Sequence, residues 1–216
     1  MKKVAFVSGF PVKGIDLNQA ATAVKNDPYY GPDGRLIESC LSQFPENKDL
    51  NIVAMKICLI DFTNSTNLSK SKKKVSLEVL AELIISTKDF DQRVAQGDRS
   101  LVSDLSLKTK EKGVNLFSFI SKYCCYHNSC VYHKDDYSIY DGVLEKFLVQ
   151  YSKNATSKVL RQLKDRSDYE SYAAIIDDML RYYNIKDPKA RRKFDYFVWY
   201  FNKDKLKKPH KSKRHP

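Results

Sequence analysis

The amino-acid sequence predicts a mainly α-helical protein, and three observations lead to this fold class. Apolar residues recur at helical spacing in one segment after another along the 216 residues. Strand patterns are weak outside residues 3–7, which are compatible with one short strand. The chain has no internal repeat, and its seven Gly and seven Pro exclude collagen-like and low-complexity architectures.

Ten segments carry the helical pattern. They are residues 16–25, 35–44, 50–62, 75–86, 99–107, 116–126, 143–151, 157–163, 169–183 and 189–202. Asp16 is placed to cap the first segment, and Pro45 stops the second after an apolar stripe that ends at Phe44. Residues 50–62 are mostly apolar, and their length favours a helix over strands. The last segment begins just after Pro188, which suits a helix start.

Length and composition exclude several classes of protein. A chain of this size forms one domain or two small lobes, and a hydrophobic content of 42% excludes a wholly disordered chain. No apolar run approaches the roughly 18 residues of a membrane span, so we expect no membrane partner. The N-terminal apolar stretch reaches Pro11 too early for a signal peptide, and the five Cys are expected to be reduced thiols. We therefore expect an intracellular monomer, cytoplasmic or nucleoid-associated.

The net charge of +12 favours a polyanionic partner such as nucleic acid over a neutral metabolite. A basic surface without a partner is the alternative. Half of the charge lies in residues 203–216, where seven basic residues stand against one acidic residue, and this tail is predicted to be flexible. The folded domain therefore comprises residues 1–202. A second basic run, residues 70–74, is predicted to form a loop between two helices.

Residues 99–148 carry the most informative pattern. It consists of a short helix, a basic turn that ends at Gly113, a second helix, a loop, and an Asp that opens a further helix. Backbone N–H groups around Gly113 and Asn115, together with Lys110 and Lys112, can hold a phosphate at such a turn. Most Gly-containing turns between helices bind nothing, so the turn alone does not establish a site.

Two side chains in this segment carry candidate chemistry. Lys122 stands in a mostly apolar helix, where burial would lower the pKa of its amine and suit it to act as a nucleophile or base. On a polar helix face it would instead reach solvent. Asp141 opens a helix, which by itself is the role of an N-cap. The helix dipole and the backbone N–H groups also stabilise a negatively charged carboxylate at this position. A carboxylate of this kind can in turn stabilise a developing oxocarbenium cation.

These residues resemble the helix-hairpin-helix DNA glycosylase superfamily. Residues 117–124 and 137–141 are similar to its 8-oxoguanine DNA glycosylase-like branch. The resemblance is closest over residues 113–148, and weaker agreement extends over residues 56–67. It implies an all-helical, two-lobed protein that flips a damaged or modified base out of duplex DNA and cleaves its N-glycosidic bond.

The resemblance assigns roles to individual residues. Asp141 matches the catalytic Asp of the superfamily, which supports loss of the base. The resemblance places Asn64 and Tyr140 at the base pocket, and Lys110, Lys112, Gly113 and Asn115 at the DNA-binding hairpin. Residues 127–136 are predicted to form a loop that borders this pocket, where His127 contacts a flipped base or a phosphate. It implies duplex DNA as the partner.

Lys122 allows two versions of the reaction. Bifunctional members of the superfamily place a Schiff-base Lys just after the last Gly of the hairpin, a position that falls near Leu116 or Phe117 here. Lys122 lies five or six residues further on, although its separation of nineteen residues from Asp141 suits a Lys–Asp pair. Either Lys122 is the Schiff-base nucleophile in an altered register, or the enzyme is monofunctional, Asp141 directs water and Lys122 is structural. The hairpin also departs from the family pattern at Asn115, where a second Gly is usual.

The remaining features give no further site. Three Cys and two His between residues 124 and 133 lack the spacing of a structural zinc site, and we predict no metal and no cofactor. The basic residues 191–193 are interpreted as a solvated face, and the aromatic stripe of the last helix as core. A non-catalytic DNA-binding protein on the same scaffold and a basic RNA-binding protein stay open as alternatives. The sequence names neither the excised base nor a role in genome repair or in attack on foreign DNA.

Overall fold

The residues that the structure describes form eleven α-helices, and 72% of these residues are helical, with no strand among them. This computed structural model describes residues 14–66, 68–71, 74–152 and 154–202. The mainly α fold class predicted from the sequence is thereby confirmed. The strand predicted at residues 3–7 and the tail at 203–216 lie outside the described residues.

The helices follow one another through short connections. They are α1 (Gly14–Asn26), α2 (Tyr30–Gln43), α3 (Leu50–Asn64), α4 (Leu77–Ile85), α5 (Phe90–Gln96), α6 (Ser100–Glu111), α7 (Phe117–Cys130), α8 (Gly142–Phe147), α9 (Ser157–Arg166), α10 (Tyr169–Tyr182) and α11 (Ala190–Asn202). Two short 3₁₀ helices lie at Leu68–Ser71 and Leu148–Gln150. None of the described helices is long and apolar enough to cross a membrane.

Polar side chains fix the N-termini of several helices. Asp49, Ser76, Thr156 and Asp168 each accept a backbone N–H bond from the residue three positions later, at the starts of α3, α4, α9 and α10. Each such cap stabilises its helix by about 1 kcal/mol. Gly97 ends α5 in the left-handed conformation, with φ +72°, where an L side chain would be strained.

One connected hydrophobic core runs from Leu17 in α1 to Val198 in α11. Helix α7 lies at its centre, because eleven of its fourteen residues are buried and it packs against α2, α3, α5 and α6. Helix α1 packs along α11, which joins the two ends of the described chain. Lys122 is the one Lys or Arg among the buried residues of this helix, which is why it stands out in the sequence. The two predicted lobes stay a prediction.

The sequence pattern misplaces two elements. It misses α5, because this helix has seven residues and buries only Phe90 and Val94. It also starts the basic turn too early, since α6 continues to Glu111. Helix α6 extends this far because Thr109 continues its buried face. The Thr109 side chain is fully buried, and its hydroxyl donates to the Ser106 carbonyl oxygen at 2.9 Å.

Candidate functional site

A cavity of about 590 Å³ lies between α1, α2, α3, α7 and α11 and the connection from α7 to α8. Its wall combines charged, polar and aromatic side chains. The ones that bear on chemistry are Asn64, Lys122, Asp135, Asp141, Arg192 and Asp195, and the aromatic ones are Tyr30, Tyr126, Tyr196 and Trp199. Three residues predicted from the sequence, Asn64, Lys122 and Asp141, therefore share one cavity.

Asp141 is the N-cap of α8. Its Oδ1 accepts hydrogen bonds from the backbone N–H groups of Val143 and Leu144, both at 2.9 Å. Its Oδ2 lies 3.9 Å from Lys122 Nζ. One carboxylate oxygen thus holds the helix, while the other is directed to the lysine and the cavity.

Helix α7 holds the segment that carries Asp141. Ser118 Oγ donates to the Tyr140 carbonyl oxygen at 2.7 Å, and Ser121 Oγ accepts from the Tyr140 backbone N–H at 3.0 Å. Ser118, Ser121 and Lys122 stand at positions i, i+3 and i+4, so they share one face of α7. The same helix face therefore presents Lys122 and fixes the backbone next to Asp141.

Two tyrosines of α10 hold the same segment from the other side. The Tyr169 hydroxyl accepts from the Ser138 N–H at 2.7 Å and contacts the Ser138 carbonyl oxygen at 2.8 Å. The Tyr172 hydroxyl donates to the Ile139 carbonyl oxygen at 2.5 Å. Both tyrosines are fully buried, so they pair the Ser138 N–H and the carbonyl oxygens of Ser138 and Ile139 inside the core.

Lys122 is buried, with 6% of its surface exposed. Among the described residues its ammonium has Asp141 as its one ion-pair partner and makes no hydrogen bond, whereas the buried Lys56 donates to Glu46 and Asn47. The resemblance expects the lysine near Leu116 or Phe117, and both are buried, Phe117 against the rings of Tyr140 and Tyr169. Lys122 is thus the amine that α7 brings to the cavity.

Helix α11 forms the opposite wall with a fixed arginine and a buried carboxyl group. The Arg192 guanidinium lies over the rings of Tyr126 at 4.7 Å and Tyr196 at 4.3 Å. Its Nη1 donates to Asp195 Oδ2 at 2.6 Å. Burial raises the pKa of Asp195 above its usual range, a shift that the Arg192 guanidinium opposes.

Asp135 connects this wall to the loop after α7. Its two carboxylate oxygens accept the backbone N–H groups of Arg191 and Arg192, at 2.7 and 3.0 Å, and so cap α11. Burial raises the pKa of Asp135 to about 6, although both hydrogen bonds act in the opposite direction. The interpretation of residues 191–193 as a solvated face is wrong for Arg192, because the pattern of one helix does not show that Tyr126 and Asp195 enclose it.

The predicted base-pocket residues separate into two groups. Asn64 lines the cavity, and its Oδ1 accepts from the Tyr126 hydroxyl at 2.9 Å. Tyr140 lies in the core, where its hydroxyl contacts Glu145 and the Leu160 carbonyl oxygen. His127 is also in the core, 1% exposed. Neither Tyr140 nor His127 lines the cavity, so we do not carry them into the proposed site.

We expect His127 to make the protein acid-sensitive. Burial lowers its pKa to about 3, with nearby Lys56 acting in the same direction. In the unfolded chain a histidine binds its proton below about pH 6.5, so the free energy of unfolding falls as the pH drops from there toward 3. Between pH 7.5 and 5 the wild type should lose about 2 kcal/mol more than His127→Phe, measured by urea unfolding. Equal losses in both proteins would contradict this, and His133→Asn at an exposed histidine is the matched control.

The predicted hairpin is docked onto the C-terminus of α9. Lys110 Nζ donates to the Asp165 carbonyl oxygen, and Asn115 Nδ2 donates to that of Lys164 at 2.9 Å. Gly113 adopts φ +82°, and its carbonyl oxygen accepts from Lys74 Nζ at 2.8 Å. Lys112 is exposed, and its side chain makes no contact of this kind with the described residues. None of the predicted hairpin residues lines the cavity.

The cysteines of α7 are packed in the core. Cys124 and Cys125 are buried, and burial raises the pKa of both thiols, that of Cys125 to about 12. Cys130 is partly buried and borders the cavity. Within the described ranges, no group of three or more His, Cys, Asp and Glu side chains has an arrangement that could hold a metal ion.

Comparison with known proteins places the chain in a family. The HI_0787_N family, whose description is "N-terminal domain", matches residues 16–136, more than half of the chain, and includes Lys122 but ends before Asp141. An uncharacterized protein of Haemophilus influenzae is 28% identical over 149 residues, which are 68% of this chain and 67% of that protein. No solved structure matches the chain significantly. The chain belongs to the HI_0787_N family.

Proposed function

We propose that the protein is a DNA glycosylase that excises a modified base from duplex DNA, with Asp141 and Lys122 as its catalytic pair. One observation carries the proposal: Lys122 Nζ lies 3.9 Å from Asp141 Oδ2 at the wall of a cavity of about 590 Å³. The two side chains are nineteen residues apart in sequence and meet through the tertiary fold. Such a volume lies in the range of pockets that enclose small ligands.

Asp141 has the surroundings that an oxocarbenium-stabilising carboxylate needs. Two backbone N–H groups at the start of α8 bind Oδ1 and fix the position of the carboxyl group. Oδ2 remains available to the cavity. Cleavage of an N-glycosidic bond leaves positive charge at C1′, and a fixed carboxylate beside it stabilises that charge without reorganisation.

Lys122 supplies an amine beside this carboxylate. In the bifunctional version Lys122 passes its ammonium proton to Asp141 and attacks C1′, and the base leaves with the electron pair of the N-glycosidic bond. The adduct then opens the sugar ring to a Schiff base, which leads to strand cleavage. In the monofunctional version Asp141 directs a water to C1′, and Lys122 balances the charge of Asp141. The two versions differ in one measurable product, a covalent adduct between protein and DNA.

The cavity also offers surfaces for a flat base. The rings of Tyr30 and Trp199 meet edge to face, with centroids 4.4 Å apart, and both line the cavity. Asn64 adds amide atoms that can hydrogen-bond a base edge. Basic side chains line the same cavity, among them Lys25, Lys134 and Lys189, and suit a phosphate backbone.

The exposed Lys112 gives a test of the hairpin as a DNA contact. Replacing Lys112 by Ala should remove about one phosphate contact and reduce the slope of log K against log salt by about 1. Duplex affinity measured at several salt concentrations checks this. Lys88→Ala, at another exposed lysine outside the hairpin, should leave the slope unchanged, and an unchanged slope in Lys112→Ala would exclude this contact.

The proposal itself is tested by base release. The protein is incubated with duplexes that carry 8-oxoguanine and other modified bases, and released base is measured. Borohydride trapping then detects a Schiff base, and Lys122→Ala should abolish the trapped adduct if the enzyme is bifunctional. Absence of base release on every duplex would contradict the proposal. Salt-sensitive duplex binding without release would then indicate a DNA-binding protein, and preference for structured RNA an RNA-binding protein.

A further inference from the structure

We infer that the basic surface formed by α9 and by the turn between α6 and α7 binds the phosphate backbone of duplex DNA. This surface lies outside the cavity, since none of its basic residues is among those that line the cavity. The inference therefore goes beyond the proposed function, and it holds whether or not the protein excises a base. It also shifts the phosphate contacts from the backbone of the turn, where the sequence pattern suggests them, to side chains that are mostly those of α9.

Three basic segments that are far apart in the sequence meet at this surface. Lys74, the last residue of the basic run at residues 70–74, donates from Nζ to the Gly113 carbonyl oxygen at 2.8 Å. Lys110 of α6 donates from Nζ to the Asp165 carbonyl oxygen near the C-terminus of α9. The basic residues of the α9 surface, as we call it, are Lys74, Lys108, Lys110, Lys112, Lys158, Arg161, Lys164 and Arg166. The fold therefore collects positive charge that the sequence distributes over three segments.

The basic residues of the α9 surface outnumber the acidic residues beside them. Glu111 and Asp165 stand in the same segments, and Glu145 of α8 is paired with Arg161 at 2.7 Å and lies 4.0 Å from Lys164. These three acidic residues face eight basic ones. Like charges repel one another, so a surplus of this kind destabilises the free protein and is relieved when a polyanion binds. The surplus therefore indicates a polyanionic partner.

The backbone N–H groups of the turn are already used inside the protein. The Gly113 N–H donates to the Lys110 carbonyl oxygen at 2.8 Å, and the Val114 N–H donates to the Thr109 carbonyl oxygen at 3.1 Å. Because these two N–H groups end α6, they are not free to bind a phosphate oxygen. The phosphate contacts of this surface therefore have to come from side chains.

Lys158 and Arg166 are the side chains of α9 best placed for such contacts. Both are exposed, and neither has a hydrogen-bond or ion-pair partner among the described residues. They are eight positions apart, which is about 12 Å along the helix axis. One strand of a DNA duplex carries a phosphate charge about every 3.4 Å of its axis, so this length spans about three phosphates.

The chemistry of α9 favours duplex DNA over a membrane or a single strand. Its exposed residues are all polar or charged, namely Lys158, Arg161, Gln162, Asp165 and Arg166. An amphipathic helix that binds a membrane surface uses an apolar face, whereas α9 packs Leu160 into the core. Proteins that bind single strands stack unpaired bases on aromatic side chains, and α9 contains none. A phosphate backbone needs only the positive charge that this surface offers.

The test is the salt dependence of affinity for a short unmodified duplex. The double variant Lys158→Ala, Arg166→Ala should reduce the slope of log K against log salt by about 2 and weaken binding about 10–100-fold at physiological salt. Asp165→Asn removes an exposed acid from the surface but keeps the carbonyl group that holds Lys110, and it should bind about threefold more tightly. Loss of the fold cannot produce this gain.

The matched control is the double variant Lys48→Ala, Lys88→Ala, which removes the same charge from two exposed lysines outside the α9 surface. Its slope should equal that of the wild type, and the melting temperatures of all variants should stay close to wild type. Equal slopes for the two double variants, or no gain in Asp165→Asn, would overturn the inference.

Two further measurements identify the partner and separate this inference from the proposed function. The α9 double variant might bind duplex as the wild type does but lose binding to vesicles of phosphatidylserine and phosphatidylcholine. That result would overturn the inference, because the surface would then bind anionic lipid. Base release at saturating duplex should stay close to wild type in these variants, since the replaced residues do not line the cavity. A wild type that binds duplex through the α9 surface but releases no base would contradict the glycosylase proposal alone.

Discussion

Replacement of Asp141 by Asn is expected to lower the rate of base release by about 10²–10⁴-fold and to leave the fold unchanged. Asn keeps an amide oxygen that can accept from Val143 and Leu144, and Asn is as good an N-cap as Asp. The substitution therefore removes the negative charge that faces the cavity and leaves the buried Lys122 ammonium without its ion-pair partner, so a lower free energy of unfolding should accompany the loss of rate. The measurement is single-turnover release from the best duplex of the screen.

Two further variants show whether the effect belongs to the charge or to the cap. Asp141→Ala removes both, and should add about 1 kcal/mol of destabilisation to the same loss of rate. Asp168→Asn makes the identical change at the N-cap of α10, outside the cavity, and should leave the rate unaltered. If the rate of Asp141→Asn lies within threefold of the wild-type rate, the prediction is wrong and the Asp141 carboxylate serves only as the N-cap of α8.

Replacement of Phe117 by Ala is expected to lower the free energy of unfolding by about 3–5 kcal/mol. Phe117 is fully buried, and its ring centroid lies 5.1 Å from that of Tyr140 and 5.9 Å from that of Tyr169. Removal of the ring leaves a cavity beneath the segment that leads to Asp141. Urea unfolding measures the stability, and base release should fall as well, because Tyr140 directly precedes Asp141 in the chain.

The matched control is Phe62, at the end of α3, which is 84% exposed. Phe62→Ala should change the free energy of unfolding by no more than about 0.5 kcal/mol. A loss below about 1 kcal/mol for Phe117→Ala would contradict the packing described for this position. Phe117→Lys, which places the amine where the superfamily resemblance expects it, should destabilise the protein strongly because the charge would be buried without a partner.

The sequence predicts the helices well because most of them bury one side, and helical spacing reports this directly. It predicts Asp141 for a local reason, since the residue that caps a helix is recognisable from its neighbours. Lys122 is conspicuous for a similar reason, as a charge inside an apolar segment. That these two side chains lie 3.9 Å apart depends on how the connection between α7 and α8 folds back. Their spacing in sequence suggests such a pair, and only the tertiary structure supplies the distance.

The opposite wall of the cavity could not be predicted in the same way. Arg192 stands in a run of basic residues, which on a helix usually faces solvent. Tyr126, which stacks on it, lies 66 positions earlier in the chain, and no local pattern joins the two. Asp195 has the same difficulty, because its burial depends on α1 and α8 packing against α11. For His127 the prediction was wrong in the opposite direction. The sequence predicts a loop at the border of the pocket, whereas α7 continues through His127 and buries its side chain in the core.

The tyrosine and serine contacts around Ser138–Tyr140 have a consequence for how the proposed glycosylase would bind a nucleotide. Hydroxyl groups from α7 and α10 bind this backbone on both sides before any DNA is present. The carboxylate of Asp141 is therefore already in place, and little conformational entropy is lost at this segment when a nucleotide enters. If the proposed function holds, the interaction energy of the duplex is available for extruding the base from its stack. In such a complex the DNA would change conformation on binding, while the backbone next to Asp141 would keep the conformation that it has in the free protein.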